Sequence, residues 1–313
     1  IVVILKEIPL KDIDEKLTKF QYRAHTCDPK LTETIKKTAV CDPVYVYQKG
    51  ETFYILDGFK RIQALKKHAH DSFKVPSVLF TPKSFSYQVH LSILLKQDAQ
   101  SLLPFSEKVS AAHMLKKVHY DKKFSNILQD LGLPNQPDYN KTYSFFKSIP
   151  IPWFQFFTDH RVPGRRIKGM CNAIDLKACT SLLAFNFGLN RLEHIVTMLS
   201  EIESREGKAA DKILKNFLSE NPQNYDPESL YTYLRTLRYP LITDYEKKIT
   251  HAVKNLQLPS FVSVQVDKDG ECPDVNLSVA LQNEKDIESF LSWYQKSIKS
   301  LKKILHERLE IDL

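Results

Sequence analysis

Phe53-Tyr54-Ile55-Leu56-Asp57-Gly58-Phe59-Lys60-Arg61-Ile62-Gln63-Ala64-Leu65 decides how this 313-residue chain is read. A run of aromatic and β-branched residues stops at Asp57-Gly58, and a helical pattern with two cations in its first turn begins at once. A strand that ends in a glycine turn and opens a helix presents free backbone N–H groups and the positive end of a helix dipole. Lys60 and Arg61 then add charge where a phosphate would sit. On these residues alone, an ordinary strand–turn–helix with solvated cations explains the pattern equally well.

The flanks break that tie. Upstream stand Ile8-Pro9-Leu10-Lys11-Asp12-Ile13, Tyr22-Arg23, a helix opened by Asp28-Pro29-Lys30-Leu31, and Asp42-Pro43-Val44-Tyr45-Val46. Downstream comes Val75-Pro76-Ser77-Val78-Leu79-Phe80. This ordered set, over about residues 4–82, resembles the N-terminal domain of the ParB family of partition proteins, within the ParB/sulfiredoxin superfamily. Gly58, Arg61 and Ala64 match its glycine-turn motif, and Pro43-Val44 with Val46 matches the element before it. The resemblance continues more weakly into the middle of the chain.

Composition sets outer bounds. The chain is long enough for two or three domains, and its hydrophobic (42%) and charged (26%) fractions are those of ordinary globular protein. No stretch approaches the ~18 apolar residues that a membrane span needs, and the first residues lack the regions of a signal peptide. The opening run Ile1–Leu5 is apolar from its first residue, as a trimmed N-terminus would be. Five cysteines, Cys27, Cys41, Cys171, Cys179 and Cys272, show no metal-ligand spacing and are expected as reduced thiols of a cytoplasmic protein, to which the resemblance adds association with the nucleoid. The net charge of +8 is uneven: residues 1–85 carry +5, residues 86–218 carry +6, and residues 219–313 carry −3. A basic front and middle suit a polyanionic partner, whereas the tail does not.

Three domains are expected. Residues 1–85 alternate short strands and helices and read as a small α/β domain, with Val44–Tyr47 and Phe53–Leu56 joined by a hairpin turn. Residues 86–218 carry 3.6-residue periodicity and read as all-helical. Within them, Phe124–Leu133 looks like the first helix of a helix-turn-helix ending in glycine, and Asn140–Ser148 like its recognition helix. The connection Pro134–Tyr139 is longer than a standard turn. Asp159–Met170 holds the densest basic cluster, Arg161, Arg165, Arg166 and Lys168. After a polar linker, Ser219–Glu228, residues 229–313 read as an α+β domain. It has two alternating strands around an Asp267–Gly270 turn, then a long helix capped by Asn283 and Asp286. That helix carries a five-turn apolar stripe, and Phe290, Tyr294, Ile298 and Leu301 are the candidate homodimer interface.

The chemistry narrows the choice. A sulfiredoxin needs a cysteine after the turn glycine, and Phe59 stands there. Characterised ParB partition proteins bind and hydrolyse CTP, so the resemblance implies phosphate contacts at Arg23, Gly58, Lys60 and Arg61. It also implies magnesium as the accompanying ion. Yet the family's acidic, amide and arginine positions before the helical domain fall on Lys96, Gln97 and Gln100, and its turn acid on Phe59. Those changes remove oxygen ligands that Mg²⁺ prefers, so a polyanion site without metal-assisted turnover is expected. No catalytic residue and no metal ligand is singled out, and His68 with His70, at i,i+2, would point to different helix faces.

The combined reading is a ParB-like protein that binds double-stranded DNA in chromosome or plasmid partition or nucleoid organisation. Lys141, Ser144 and Lys147 lie on the reading helix, and Arg161, Arg165, Arg166 and Lys168 are the phosphate contacts. The resemblance further implies a ParA-like partition ATPase as partner. Two alternatives stay open: a regulatory or interaction protein that keeps the fold without sequence-specific DNA binding, and a ParB-like nuclease or CTPase built on the Asp57–Arg61 turn.

Overall fold

The computed structural model describes residues 4–13, 18–23, 29–38, 42–70, 72–98, 103–220, 225–266 and 275–309. The expected Asp28 cap, the 267–270 turn, Gln100, and the cysteines at 27, 41 and 272 lie outside the described residues. The chain is mixed α/β, mostly helical with one small sheet and a separate hairpin. It divides into two compact units, residues 1–197 with 210–214, and residues 198–209 with 215–313. No helix among the described residues is long and apolar enough to cross a membrane.

The sheet is laid out by two alternating hydrophobic strands. β2 (Val44–Lys49) and β3 (Thr52–Asp57) form an antiparallel hairpin turned at Gly50. β4 (Lys74–Phe80) adds parallel to β2, and β1 (Ile4–Pro9) pairs antiparallel with β4, giving the order β1-β4-β2-β3. Side chains alternate across a strand. Val44, Val46, Phe53, Ile55, Val75 and Leu79 therefore share one core with Ile35 of α1 (Pro29–Thr38) and with Ile62 and Leu65 of α2 (Phe59–His68).

The alternate residues build a second, aromatic layer on the opposite face. Phe20, at the end of a short 3-10 turn, sits edge-on to Tyr47 at 5.6 Å, Tyr54 at 5.8 Å, Phe85 at 5.6 Å and the His90 ring at 5.5 Å. His90 lies on α3 (Tyr87–Asp98), and its Nδ1 shares a hydrogen bond of 3.2 Å with Nε2 of His119. His119 caps α4 (Phe105–Val118), while the Tyr87 hydroxyl donates to Asp130 of α5 (Phe124–Asp130) at 2.7 Å. Packing is thus continuous across residue 85, where composition changes character.

α5 is followed by a glycine turn, a short 3-10 segment (Pro137–Tyr139) and α6 (Asn140–Phe146). Leu133 N–H donates to Leu128 C=O at 2.8 Å and Gly132 N–H to Gln129 C=O at 3.0 Å, with Gly132 at φ +63°. This paired closure is the usual way a left-handed glycine satisfies the last carbonyls of a helix. α7 (Ile151–Asp159) buries Trp153, whose indole N–H donates to Leu176 C=O at 2.7 Å. α8 (Gly164–Ala173) starts against Phe105, where a Cβ on Gly164 would fall 2.4 Å from the ring, so only glycine permits that approach. α9 (Leu189–Glu206) and α10 (Ala210–Glu220) follow.

In the second unit, α11 (Pro227–Arg238) and α12 (Pro240–Asn255) are joined by Arg235, which donates to both Glu246 oxygens at 2.6 and 2.8 Å. β5 (Val262–Val266) and β6 (Val275–Val279) pair antiparallel. α13 (Glu284–Leu309) opens with the expected reciprocal cap. Asp286 N–H donates to Asn283 Oδ1 at 3.1 Å, and Asn283 N–H to Asp286 Oδ2 at 3.2 Å. Trp293 and Leu301 pack on Leu256, and the Trp293 indole N–H donates to Leu256 C=O at 2.8 Å.

His90 makes folding sensitive to acid. Burial first, and the His119 charge second, pull its pKa from 6.5 down to about 3. The unfolded chain then binds the extra proton, so the stability His90 contributes is full above pH 6.5 and drains as pH falls toward 3. The slope is ~1.4 kcal/mol per pH unit. His90→Phe, which keeps the ring in the cluster, is expected to lose about 2 kcal/mol less than the parent between pH 6.5 and 5 in urea unfolding. Equal losses in the two proteins would refute this.

Candidate functional site

Arg23, Gly58, Lys60 and Arg61 line one cleft of about 530 Å³. Its other walls come from Tyr22, Leu31, the Asp42-Pro43 approach to β2, Tyr45, Leu56-Asp57, Phe59, and Ile93 and Lys96 on α3. A volume of that order suits a small-molecule ligand. Gly58 is the N-cap of α2 at φ +101°, a conformation that L side chains rarely adopt. A Cβ there would meet Val44 Cγ1 at 2.7 Å and the Arg61 guanidinium at 3.2 Å. The glycine thus sets both the turn and the close packing of α2 on β2.

The cations in the cleft are not equivalent. Arg61 is spent on the protein itself: Nη1 donates to the carbonyls of Asp42 at 2.7 Å and Pro43 at 3.2 Å, and Nη2 reaches Asp57 Oδ2 at 3.4 Å. It staples the approach to β2 onto the end of β3. Arg23 uses only its Nε, which donates to Glu107 Oε2 at 2.8 Å, so its terminal nitrogens remain for the cleft. Lys60 has no ion-pair partner among the described residues. Lys96 rests on Tyr45, with Nζ 3.3 Å from the hydroxyl and 5.7 Å from the ring centroid.

Glu107, in the first turn of α4, is 7% exposed. Burial raises its pKa, and Arg23, then Lys60 and Arg161, oppose that rise. The balance fits a carboxylate that holds Arg23 in one orientation. Glu107 is not among the site residues expected from the sequence. Its spacing from Arg23, 84 residues away, left no local signal.

The residues expected to contact DNA divide in the same way. On α6, Thr142, Tyr143, Phe145 and Phe146 are buried, whereas Lys141, Ser144 and Lys147 are exposed. Arg165 on α8 is also exposed, beside Tyr139 and Lys108. Arg166 is bound to α9, with Nε 2.5 Å from Glu193 Oε1 and Nη2 2.6 Å from Asn190 Oδ1. Lys168 lies 2.6 Å from Asp138 Oδ2 and 4.9 Å from the Tyr139 ring centroid. Arg161, at φ +47° after α7, is close enough to Glu107 to oppose the rise of its pKa. The cluster that is dense in sequence is therefore dispersed: Arg166 and Lys168 are tied to neighbouring elements, while Arg161 and Arg165 are exposed, Arg165 beside the α6 turn.

No family model and no curated protein matches the chain. Among solved structures, it is similar to the C-terminally truncated chromosome-partitioning protein ParB from Caulobacter crescentus complexed to the centromeric parS site. Identity is 13%, coverage is 61% of this chain and 97% of that chain, and the TM-score is 0.24.

Gly58→Ala is expected to destabilise the first unit by about 1–3 kcal/mol, from the left-handed backbone and the Val44 clash together. Arg61→Met should cost a similar ~1–3 kcal/mol by unpairing the carbonyls it holds. Thermal unfolding measures both, and an unchanged midpoint in Arg61→Met would show that its guanidinium does not hold the turn.

Proposed function

We propose that this chain is a ParB-like protein that binds double-stranded DNA in partition or nucleoid organisation. The observation that carries the reading is the split of α6. Its aromatic face is buried against the helical core, while Lys141, Ser144 and Lys147 face solvent in a row, on a helix preceded by a glycine-closed turn. A helix-turn-helix presents its second helix to the major groove in this way, with flanking cations on the phosphates. Arg165 extends the exposed row from α8, and the net charge of +6 over residues 86–218 supplies the sequence-independent attraction. The domain division at about residues 85 and 219–228, and a partition ATPase as partner, belong to the same proposal.

A second reading concerns the cleft at Gly58. Four residues separated by up to 38 positions converge on it, and the terminal nitrogens of Arg23, left over from its Nε bond to Glu107, support a bound phosphate group together with Lys60. This site and the α6 surface use different residues, so either stands without the other.

Self-association completes the proposal. Ile287, Leu291 and Tyr294 of α13 are 46%, 52% and 38% exposed at i, i+4 and i+7, with Phe290 and Ile298 alongside. Leu301, the fourth residue expected at the interface, turns toward Leu256 within its own unit. The remaining stripe suits a second copy of this chain across a two-fold axis.

DNA binding is tested by its salt dependence. Lys141→Ala, Lys147→Ala and Arg165→Ala should each weaken duplex binding and lower the log–log salt slope by about one unit. Arg166→Ala should chiefly lower the melting temperature. Unchanged affinity at low salt in the first three would refute the α6 surface. For assembly, Leu291→Asp in the full chain should give a monomer by sedimentation at concentrations where the parent is a dimer, and a monomeric parent would remove the stripe as an interface.

A further inference from the structure

We infer that the groove between α11 and α12 is a docking surface for a short acidic segment of a partner protein. The groove lies in the second compact unit and shares no residue with the Gly58 cleft or the α6 surface, so it stands apart from the proposed function.

The two helices enclose about 760 Å³ along one side. Arg235 and Glu246 line it as a bidentate pair that joins α11 to α12, and their charges cancel. The charge that remains comes chiefly from α12. Lys247, His251 and Lys254 line the groove at i, i+4 and i+7, the spacing that puts side chains on one helix face. All three are exposed. Neither lysine has an ion-pair partner among the described residues. Asp244, three residues before Lys247 and so within reach by helical spacing, is engaged by Lys248 at 2.9 Å. Across the groove α11 contributes hydroxyls from Tyr231, Thr232 and Thr236, and one acid, Glu228, which the α12 stripe outnumbers.

Like charges on one helix face repel, and an acidic ligand laid along that face relieves the repulsion. The surrounding charge selects protein over nucleic acid as its source. Residues 219–313 carry −3 in total, so a long polyanion is disfavoured by the segment as a whole. A short acidic segment meets chiefly the local stripe, because charges farther than ~8–10 Å away are screened at ordinary salt. The dimensions agree with this. From Thr243 to Lys254 the groove follows about 16 Å of helix at ~1.5 Å per residue, room for about five residues of extended chain. Hydroxyls on the α11 side can donate to or accept from the backbone of such a chain, while the α12 cations take its carboxylates.

Fluorescence anisotropy of labelled octaglutamate with the full chain tests this, with a labelled DNA duplex of random sequence as the second probe. Octaglutamate is expected to bind, and more weakly as salt rises. Reversing both charges, Lys247→Glu with Lys254→Glu, should cost roughly tenfold or more, the worth of two surface charge pairs. Both side chains are exposed, so this variant should keep the parent melting temperature. Lys247→Arg with Lys254→Arg should bind octaglutamate as the parent does. Lys141→Ala, on α6, should leave octaglutamate binding unchanged. Octaglutamate that fails to bind the parent, that binds the charge-reversed protein equally well, or that is lost equally in Lys141→Ala would overturn the inference. Duplex affinity that falls as steeply as octaglutamate affinity on charge reversal would make the groove a nucleic-acid surface, and would overturn it too.

Discussion

The four-stranded sheet has to be buried on both faces, and the way its second face is covered governs most of what else the first unit does. Valines and isoleucines on one side meet α1 and α2, as in any small α/β layer. The other side offers tyrosines, whose rings need apolar contact but whose hydroxyls need partners. Phe20 answers the first need at the centre of the layer, and α3 lies across the rest. Once Phe20 is fixed, Arg23 follows three residues later and meets Glu107 on α4. Once α3 lies over Tyr45, Lys96 is delivered to its hydroxyl. The cleft is a by-product of covering the aromatic face.

This explains which parts of the chain were legible as sequence. Strand alternation in Val44–Tyr47 and Phe53–Leu56, the glycine after Leu131 and the Asn283–Asp286 cap are written in neighbouring residues, and the structure shows each of them. Arg61 was legible as a turn cation but not as a staple, since the carbonyls it holds lie 18 and 19 residues earlier. Glu107 and Tyr45 were silent as site residues, because each acquires its role from an element far away in the chain.

Charge density along a sequence is a poor guide to charge presented to a partner. Residues 161–168 hold four cations, yet Glu193 and Asn190 engage one and Asp138 another. Such pairs fix helix against helix, and each takes a charge out of the field that a polyanion would feel. Lys141 and Lys147 lie in a less basic stretch, but a buried aromatic face on α6 compels them outward. Amphipathicity, more than local net charge, decides which cations a folded surface shows.

The chain's two tryptophans fall one to each compact unit, and each indole is pinned by a single backbone carbonyl: Trp153 by Leu176, Trp293 by Leu256. Their surroundings differ sharply, since Trp153 is fully enclosed among Phe156 and Phe157 while Trp293 is partly open beside Phe290. Native emission is therefore a sum of two spectroscopically distinct reporters with no overlap in origin. Replacing either indole by phenylalanine leaves a single-site optical probe, so the melting of one unit can be followed by intrinsic fluorescence without the other contributing to the signal.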